Sequence, residues 1–94
     1  EERAVVLGGS GQGEAIVANK FPNVRAVVYY GFVEEMPVLA RQHNDSNILV
    51  LGSKFVDEAT MRSIITIWLS SAFEGGRHLK RTEQIKNIEK EFSK

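Results

Sequence analysis

The feature that most constrains this chain is a glycine-rich turn directly after a short apolar run. Residues 4–7 read Ala-Val-Val-Leu, residues 8–13 read Gly-Gly-Ser-Gly-Gln-Gly, and helix-like sequence follows at 14–20. The four glycines let the backbone take positive φ and approach a ligand closely, and the helix that follows offers unpaired N–H groups. The turn therefore predicts an anion site at the carboxyl end of a buried strand, the edge where open α/β sheets bind ligands.

The rest of the chain alternates strand and helix patterns. Strands are expected at 4–7, 25–30 and 47–51, and helices at 14–20, 33–42, 61–69 and near the C-terminus. Strands that are apolar on both faces and alternate with helices predict a parallel sheet covered on both sides. The expected fold is a three-layer α/β/α, Rossmann-like arrangement in one domain, residues 1–94. Because three strands are few for such a sheet, N-terminal βα units are expected to be missing from this sequence.

The C-terminal helix and the second helix carry local signals of their own. The C-terminal helix is charged and has only a thin apolar stripe at Ile85, Ile88 and Phe92, which favours packing against a neighbouring subunit. The second helix contains Pro37, which a helix tolerates only within its first turn.

Composition and charge exclude several classes of function. Twelve basic and twelve acidic side chains give a net charge of zero, whereas binding to nucleic acid or to an anionic membrane needs a positive excess. No apolar run reaches the length of a membrane span. The absence of cysteine excludes disulfides and thiolate sites and favours a cytoplasmic location.

The glycine turn allows more than one interpretation. Its ligand is either a phosphate or a developing oxyanion, and a tight turn without a ligand is the alternative. The spacing matches neither a P-loop nor the dinucleotide-binding motif G-x-G-x-x-G. Glu14, in the first helical turn, is either a charge that stabilises the helix dipole or a general base beside the N–H donors.

Two further groups of polar residues are candidates for substrate binding. His43 and Asn44 are expected between the second helix and the third strand, where such a pair is more often a helix C-cap than catalytic. Arg77 and Arg81 are four residues apart, so one helix presents both on the same face, where a phosphate satisfies both guanidinium groups. A solvated basic face, neutralised by Glu83, is the alternative.

Three blocks of sequence together resemble ribose-5-phosphate isomerase type B, in the group that includes the galactose-6-phosphate isomerase subunits. The blocks are residues 8–13 with Ala18-Asn19-Lys20, the Arg-Gln-His-Asn-Asp of 41–45, and the Phe-Glu-Gly-Gly-Arg-His of 73–78 with Arg81. The resemblance implies an α/β/α homodimer, without metal or cofactor, that interconverts aldose and ketose phosphates. It also implies active sites shared between the two subunits.

The resemblance implies binding roles for several of the candidates. His43 would assist the opening of the sugar ring, and Asn44 would hold substrate hydroxyls. Arg77 and Arg81 would bind the phosphate. Lys54 stands where the family has an arginine that also reaches the phosphate, so the charge is kept and the guanidinium fork is lost.

The same resemblance assigns the chemistry to the glycine turn. N–H groups of the turn would stabilise the oxyanion of a cis-enediolate, and the residues concerned are Gly9, Gly11 and Gly13. Ser10 would shuttle protons. Many family members carry a catalytic cysteine at the position of Gly8, but a branch with Gly-Gly-Ser-Gly-x-Gly-Glu is thought to use the glutamate. Glu14 is therefore the expected base, moving a proton between C2 and C1.

Ribose 5-phosphate, converted to ribulose 5-phosphate in pentose phosphate metabolism, is the expected substrate. The alternatives are a six-carbon substrate such as galactose 6-phosphate and a non-catalytic, phosphate-binding partner subunit, while a nucleotide-binding module is disfavoured. Residues 29–38 are longer than the family pattern, so a local change in the pocket wall is expected. The family's opening βα units, with an Asp-His pair of the site, are absent from this sequence, so a protein that begins at Glu1 is expected to show weak activity or none.

Overall fold

The computed structural model of the chain describes residues 2–31, 35–75 and 77–92, with Arg77 described by its backbone alone. Three strands alternate with helices, and a long helix follows. In chain order the elements are β1 (Ala4–Gly8), α1 (Gln12–Ala18), β2 (Ala26–Tyr29), α2 (Met36–Asn44), β3 (Ile48–Gly52), α3 (Glu58–Ser70) and α4 (Arg77–Phe92). The predicted order of strands and helices is confirmed.

The three strands form one parallel sheet in the order β1-β3-β2. β3 lies in the middle, and its residues Leu49, Val50 and Leu51 are fully buried. Gly8 at the end of β1 pairs with Gly52 at the end of β3, so both strands stop at the same edge of the sheet. Among the described residues, β1 pairs with β3 alone.

Helices cover both faces of the sheet, because successive side chains of a strand point to opposite faces. The core on one face is formed by Tyr29, Leu49, Leu51, Val56, Ile64 and Trp68, with Met36 packed against it. These residues bring α2 and α3 to that face. On the other face, Val28 and Val50 lie against the turn that starts α1. The predicted three-layer α/β/α fold is confirmed.

The C-terminal end of α2 differs from its prediction. The predicted helix stops at Gln42, whereas α2 runs to Asn44, and Asp45 caps it in a left-handed conformation with φ 50°. The prediction that His43 and Asn44 lie between the helix and the strand was wrong, because both belong to the last helical turn. The physical reason is an ion pair that apolar periodicity does not reveal, since Arg41 Nη1 donates to Asp45 Oδ1 at 3.0 Å across that turn.

α2 begins at Met36, so Glu35, which was predicted to be helical, is the N-cap instead. Pro37 lies in the first turn of the helix, where its missing N–H costs no hydrogen bond. The predicted start at Val33 lies outside the described residues, as does part of the segment 29–38, in which a change of the pocket wall was expected.

α4 packs on α2 through polar residues and leaves its apolar stripe open. His78 and Thr82 are buried, while Ile85, Ile88 and Phe92 are 46%, 57% and 80% exposed. The stripe lines a groove of about 650 Å³, whose other wall is formed by the end of α1 and the start of β2. None of the described helices is long and apolar enough to cross a membrane.

Candidate active site

The glycine turn folds over the carboxyl edge of the sheet. Gly11 caps the start of α1 with φ 83°, a conformation that residues with a side chain rarely adopt. A Cβ at Gly11 would also lie 3.0 Å from Val50 Cγ1 and 3.2 Å from Val28 Cγ1. Backbone conformation and packing therefore both require glycine here, and they bring the start of α1 directly against the strands.

The carboxylate of Glu14 lies over the end of β1. A Cβ built on Gly8 would overlap the carboxylate, with Oε2 at 2.8 Å and both Cδ and Oε1 closer still. Glu14 projects from the first turn of α1, so its charge lies at the positive end of the helix dipole. The structure thus places the predicted base against the backbone of the glycine turn.

The turn that follows β3 is hydrogen-bonded to the glycine turn. Ser53 N donates to the carbonyl oxygen of Gly8 at 2.7 Å, and Lys54 N donates to that of Gly9 at 2.9 Å. The Lys54 side chain runs along the same turn, because a Cβ on Gly9 would lie 3.7 Å from its Nζ. Lys54 therefore lies at the glycine turn, whereas the other predicted phosphate ligands are on α4.

Ser10 and Gly13 complete this edge of the sheet. Ser10 is exposed, and its Oγ accepts a hydrogen bond from Gln12 N at 3.3 Å. Gly13 lies in the first turn of α1, with open space where its Cβ would be. We call residues 8–14 together with Lys54 the glycine-turn site.

Gly52 supports the glycine-turn site, although the sequence analysis gave it no role. A Cβ on Gly52 would lie 2.6 Å from the Ser10 carbonyl oxygen and 2.8 Å from Tyr30 Cβ. The glycine turn therefore rests on the bare backbone at the end of β3. The glycine that closes an apolar run was the available signal, but its contact with Ser10 depends on the pairing of β1 with β3.

A second group of predicted residues lies where α2 ends. The rings of His43 and His78 stack, with centroids 4.1 Å apart and planes 14° apart. Glu74 joins them, and its backbone N–H donates to the Gln42 carbonyl oxygen at 3.1 Å. Glu74 and His78 were given no role from the sequence, although both lie in the Phe-Glu-Gly-Gly-Arg-His block. They are recognised as part of the site only because the fold places both next to His43.

Asn44 and the arginines flank the stacked rings. Asn44 is exposed in the last turn of α2, and Arg81 is exposed on α4, three residues beyond His78. Arg77 and Arg81 lie on one helix, as predicted, and the side chain of Arg77 is outside the described part of the chain. We call His43, Asn44, Glu74, His78 and Arg81 the histidine site.

Within the described residues, a metal ion could be held by His43, Glu74 and His78, whose ligand atoms lie within 4.8 Å of one another. Imidazole and carboxylate are ligands that suit first-row metal ions. The two rings are nearly parallel, however, so the lone pairs in their planes do not converge on one point. The group as it stands forms a polar wall rather than a coordination shell.

A buried arginine holds the histidine site in place. Arg41 is 1% exposed, and its guanidinium contacts Asp45 Oδ1, the Ser46 carbonyl oxygen and the Ser71 carbonyl oxygen. Trp68 Nε1 donates to Ser46 Oγ at 2.9 Å in the same buried region. These bonds join the end of α2 to the end of α3 and the start of β3. The end of α2, which carries His43 and Asn44, is therefore tied both to the neighbouring start of β3 and to the end of α3, 30 residues away in sequence.

The two sites lie at opposite ends of the sheet. The glycine turn follows the carboxyl end of β1, whereas α2 ends at Asn44, just before the amino end of β3. The five residues of β3 alone span about 13 Å. The structure does not bring Glu14 and Ser10 together with His43, Asn44 and Arg81 within one copy of the chain.

Comparison with known proteins agrees with the fold. A family profile described as Ribose/Galactose Isomerase matches residues 1–85. The chain belongs to this family. Among its relatives, ribose-5-phosphate isomerase B of Escherichia coli is 42% identical over 85 residues, which are 90% of this chain and 56% of that protein. A probable ribose-5-phosphate isomerase B of Mycoplasma genitalium is 36% identical and aligns with 97% of this chain and 59% of its own length.

Solved structures of the ribose/galactose isomerase family share the fold closely. Ribose-5-phosphate isomerase B from Clostridium thermocellum is 41% identical and superposes with a TM-score of 0.90, over 96% of this chain and 60% of that one. The Mycoplasma genitalium enzyme with bound ribulose 5-phosphate gives a TM-score of 0.91 at 36% identity, over 97% and 59% of the two chains. The chain thus spans somewhat more than half the length of these family members.

Gly8 is the position at which the resemblance predicts a cysteine in many members of this family. Where many members are expected to carry a cysteine, this chain has no side chain, and the Glu14 carboxylate fills the space that a Cβ would need. The two arrangements exclude each other as long as the carboxylate keeps this position.

Proposed function

We propose that this chain is a sugar-phosphate isomerase domain that interconverts ribose 5-phosphate and ribulose 5-phosphate. The observation that carries the proposal is the Glu14 carboxylate held over the end of β1, beside the N–H groups that open α1. The names of its relatives favour the five-carbon substrate over galactose 6-phosphate. A role in pentose phosphate metabolism in the cytoplasm fits this substrate.

The glycine-turn site supplies what an aldose–ketose conversion requires. Glu14 removes the proton from C2, and the electrons of that C–H bond form the C1–C2 double bond while O1 takes the negative charge. N–H donors of the turn stabilise this oxyanion of the cis-enediolate. Ser10 passes the proton of O2 to O1, and Glu14 returns its own proton to C1. Atoms and electrons balance within the sugar, so the conversion needs no external oxidant or reductant.

The histidine site supplies the complementary functions. His43 assists ring opening, Asn44 holds substrate hydroxyls, and Arg81 with Arg77 binds the phosphate. Because the two sites lie at opposite ends of one sheet, we propose that the histidine site of one copy faces the glycine-turn site of a second copy in a homodimer. A two-fold interface produces two such composite sites at once.

Isomerisation of ribose 5-phosphate by the intact protein tests the proposed function. The expected result is the appearance of ribulose 5-phosphate, with slower or no conversion of galactose 6-phosphate in a parallel reaction. Binding of ribose 5-phosphate without conversion would instead identify a non-catalytic phosphate-binding subunit. Faster conversion of galactose 6-phosphate would move the proposal to a six-carbon substrate.

Mixing two inactive variants tests the shared site separately. Glu14→Gln and His43→Asn are each expected to be inactive, since every composite site lacks one group. After subunit exchange, hybrid dimers contain one intact site, so a random mixture should recover about a quarter of the wild-type activity. The control replaces the second variant by the double variant Glu14→Gln/His43→Asn, whose hybrids contain no intact site. No recovery in the first mixture would refute sharing between copies.

A further inference from the structure

We propose that Gly8 is a positioning residue for Glu14, because its missing side chain leaves the space in which the carboxylate lies. The expected loss of kcat rests on the proposed function. The expected displacement of the Glu14 carboxylate rests on the geometry alone. It assigns to Gly8 a role that differs from those of the other glycines of the turn. Gly11 is needed for its positive φ and its close packing on the strands, whereas Gly8 is needed for the space that the Glu14 carboxylate occupies.

The closest conflict at Gly8 is with the Glu14 carboxylate. The three nearest atoms to a built Cβ are Oε1, Cδ and Oε2 of Glu14. Gly8 is not among the described glycines with positive φ, which are Gly11, Gly31 and Gly75. An alanine at position 8 would therefore meet no backbone strain, and its cost would fall on the side chain of Glu14.

The backbone at Gly8 is held more firmly than the carboxylate. The Gly8 carbonyl oxygen accepts hydrogen bonds from Ser53 N at 2.7 Å and Ser53 Oγ at 3.0 Å, and Gly8 pairs with Gly52 in the sheet. Glu14 is an exposed side chain with several rotatable bonds. When a methyl group is added at position 8, the carboxylate is the part that moves.

Displacement of the carboxylate should affect turnover more than binding. A general base acts only within hydrogen-bond reach of the proton that it removes. A shift of about 1 Å in a reacting group can cost roughly 10²-fold in rate. The proposed phosphate ligands Arg77 and Arg81 lie on α4, away from the substitution. The third, Lys54, is not among the atoms nearest to a Cβ at position 8. Gly8→Ala should therefore lower kcat by about 10²-fold and change KM little.

A double-mutant cycle tests this role. Kinetics are measured for wild type, Gly8→Ala, Glu14→Gln and the double variant, with thermal unfolding of each as a check on folding. If Gly8 acts through Glu14, adding Gly8→Ala to Glu14→Gln produces no further loss of kcat. Losses that multiply, or a Gly8→Ala variant as active as wild type, would overturn the proposal.

A crystal structure of Gly8→Ala separates this inference from the proposed function. If the wild-type protein does not isomerise ribose 5-phosphate, the proposed function fails, yet a carboxylate displaced from residue 8 still supports the positioning role. A carboxylate that stays in place while the backbone of β1 shifts would refute the inference whether or not the protein is active.

Discussion

The two candidate sites of this protein are built in different ways. The glycine-turn site is made almost entirely by consecutive residues, 8–14. Its shape requires glycine at positions 8, 11 and 52, where a Cβ would meet neighbouring atoms. The histidine site is assembled from the last turn of α2, the segment before α4 and the first turns of α4. Buried Arg41 fixes its position.

This difference predicts different effects of substitutions at the two sites. A polar side chain at the glycine-turn site is exposed and contributes little to folding. Its replacement should therefore lower the turnover rate and change the free energy of unfolding little. The scaffold of the histidine site is buried and hydrogen-bonded, so its replacement should cost free energy of unfolding.

The largest effect is expected for Glu14→Gln. The amide keeps the shape but cannot accept the C2 proton, and a positioned base is typically worth about 10²–10⁴-fold in rate. We expect kcat to fall by that factor in the ribose 5-phosphate assay. The thermal unfolding midpoint should fall only slightly, because the lost charge interacts with the helix dipole by no more than about 1 kcal/mol. Glu91→Gln, in the last turn of α4, is the control and should retain full activity. Wild-type turnover by Glu14→Gln would remove Glu14 from the role of base.

The next effect concerns Arg41, the buried cation behind the histidine site. Arg41→Ala removes the donor of Asp45 Oδ1 and of two carbonyl oxygens, while Arg25 Nη2 still contacts Asp45 Oδ2 at 3.3 Å. Leaving buried acceptors without their charged donor costs about 3 kcal/mol. Urea unfolding monitored by Trp68 fluorescence measures the change.

An exposed pair on α3 provides the matched control for Arg41→Ala. Arg62 Nη2 and Glu58 Oε1 are 2.8 Å apart, with side chains 77% and 74% exposed. Both ion pairs join residues four apart on a helix. Arg62→Ala should cost no more than about 0.5 kcal/mol, because water screens the pair. Equal losses for the two variants would show that burial of Arg41 does not support the end of α2.

A smaller loss of stability is expected for Ser46→Ala. Ser46 is fully buried, and its Oγ accepts the indole N–H of Trp68 at 2.9 Å. Without that acceptor the buried N–H has lost its partner, at a cost of about 1–3 kcal/mol. Ser70→Ala removes an exposed hydroxyl from α3 and should be nearly neutral. A neutral Ser46→Ala would mean that the buried network is dispensable for stability.

The smallest effect concerns Asp57, the N-cap of α3, at the carboxyl end of the sheet. Hydrogen bonds from the backbone N–H and the hydroxyl of Thr60 hold the pKa of Asp57 below its usual value of 3.8. Because the folded pKa lies below the unfolded one, the stabilisation is present above pH 3.8 and is lost as pH falls through the folded value.

Urea unfolding of wild type and Asp57→Asn at several pH values checks the direction of this pH dependence. Wild type should be slightly the more stable protein above pH 3.8, and the difference should vanish in acid. A difference that grows on acidification would contradict the assignment.

The sequence predicted elements that depend on local patterns. The three strands, the order of the helices and the position of the glycine turn between β1 and α1 follow from apolar periodicity and from glycine spacing, which are properties of neighbouring residues. The grouping of Arg77 with Arg81 on one helix also follows, since it needs only the helical repeat.

Other features could not be predicted because they depend on ion pairs and ring contacts rather than on apolar periodicity. The extension of α2 to Asn44 requires the buried guanidinium of Arg41 and its partner Asp45. The stacking of His43 on His78 requires α4 to pack against α2. Neither contact leaves a periodic signal in the sequence.

The sequence by itself determined a parallel α/β chain with a glycine turn, a nearby carboxylate and a pair of arginines on one helix, because strand and helix periodicities and glycine conformations act locally. Only the tertiary structure decided that the Glu14 carboxylate lies over Gly8 and that the two groups of candidate residues occupy opposite ends of the sheet. The physical reason is that a parallel crossover returns the chain to the amino edge before each new strand begins. Residues at the two edges can therefore surround one small substrate only if a second copy supplies half of them.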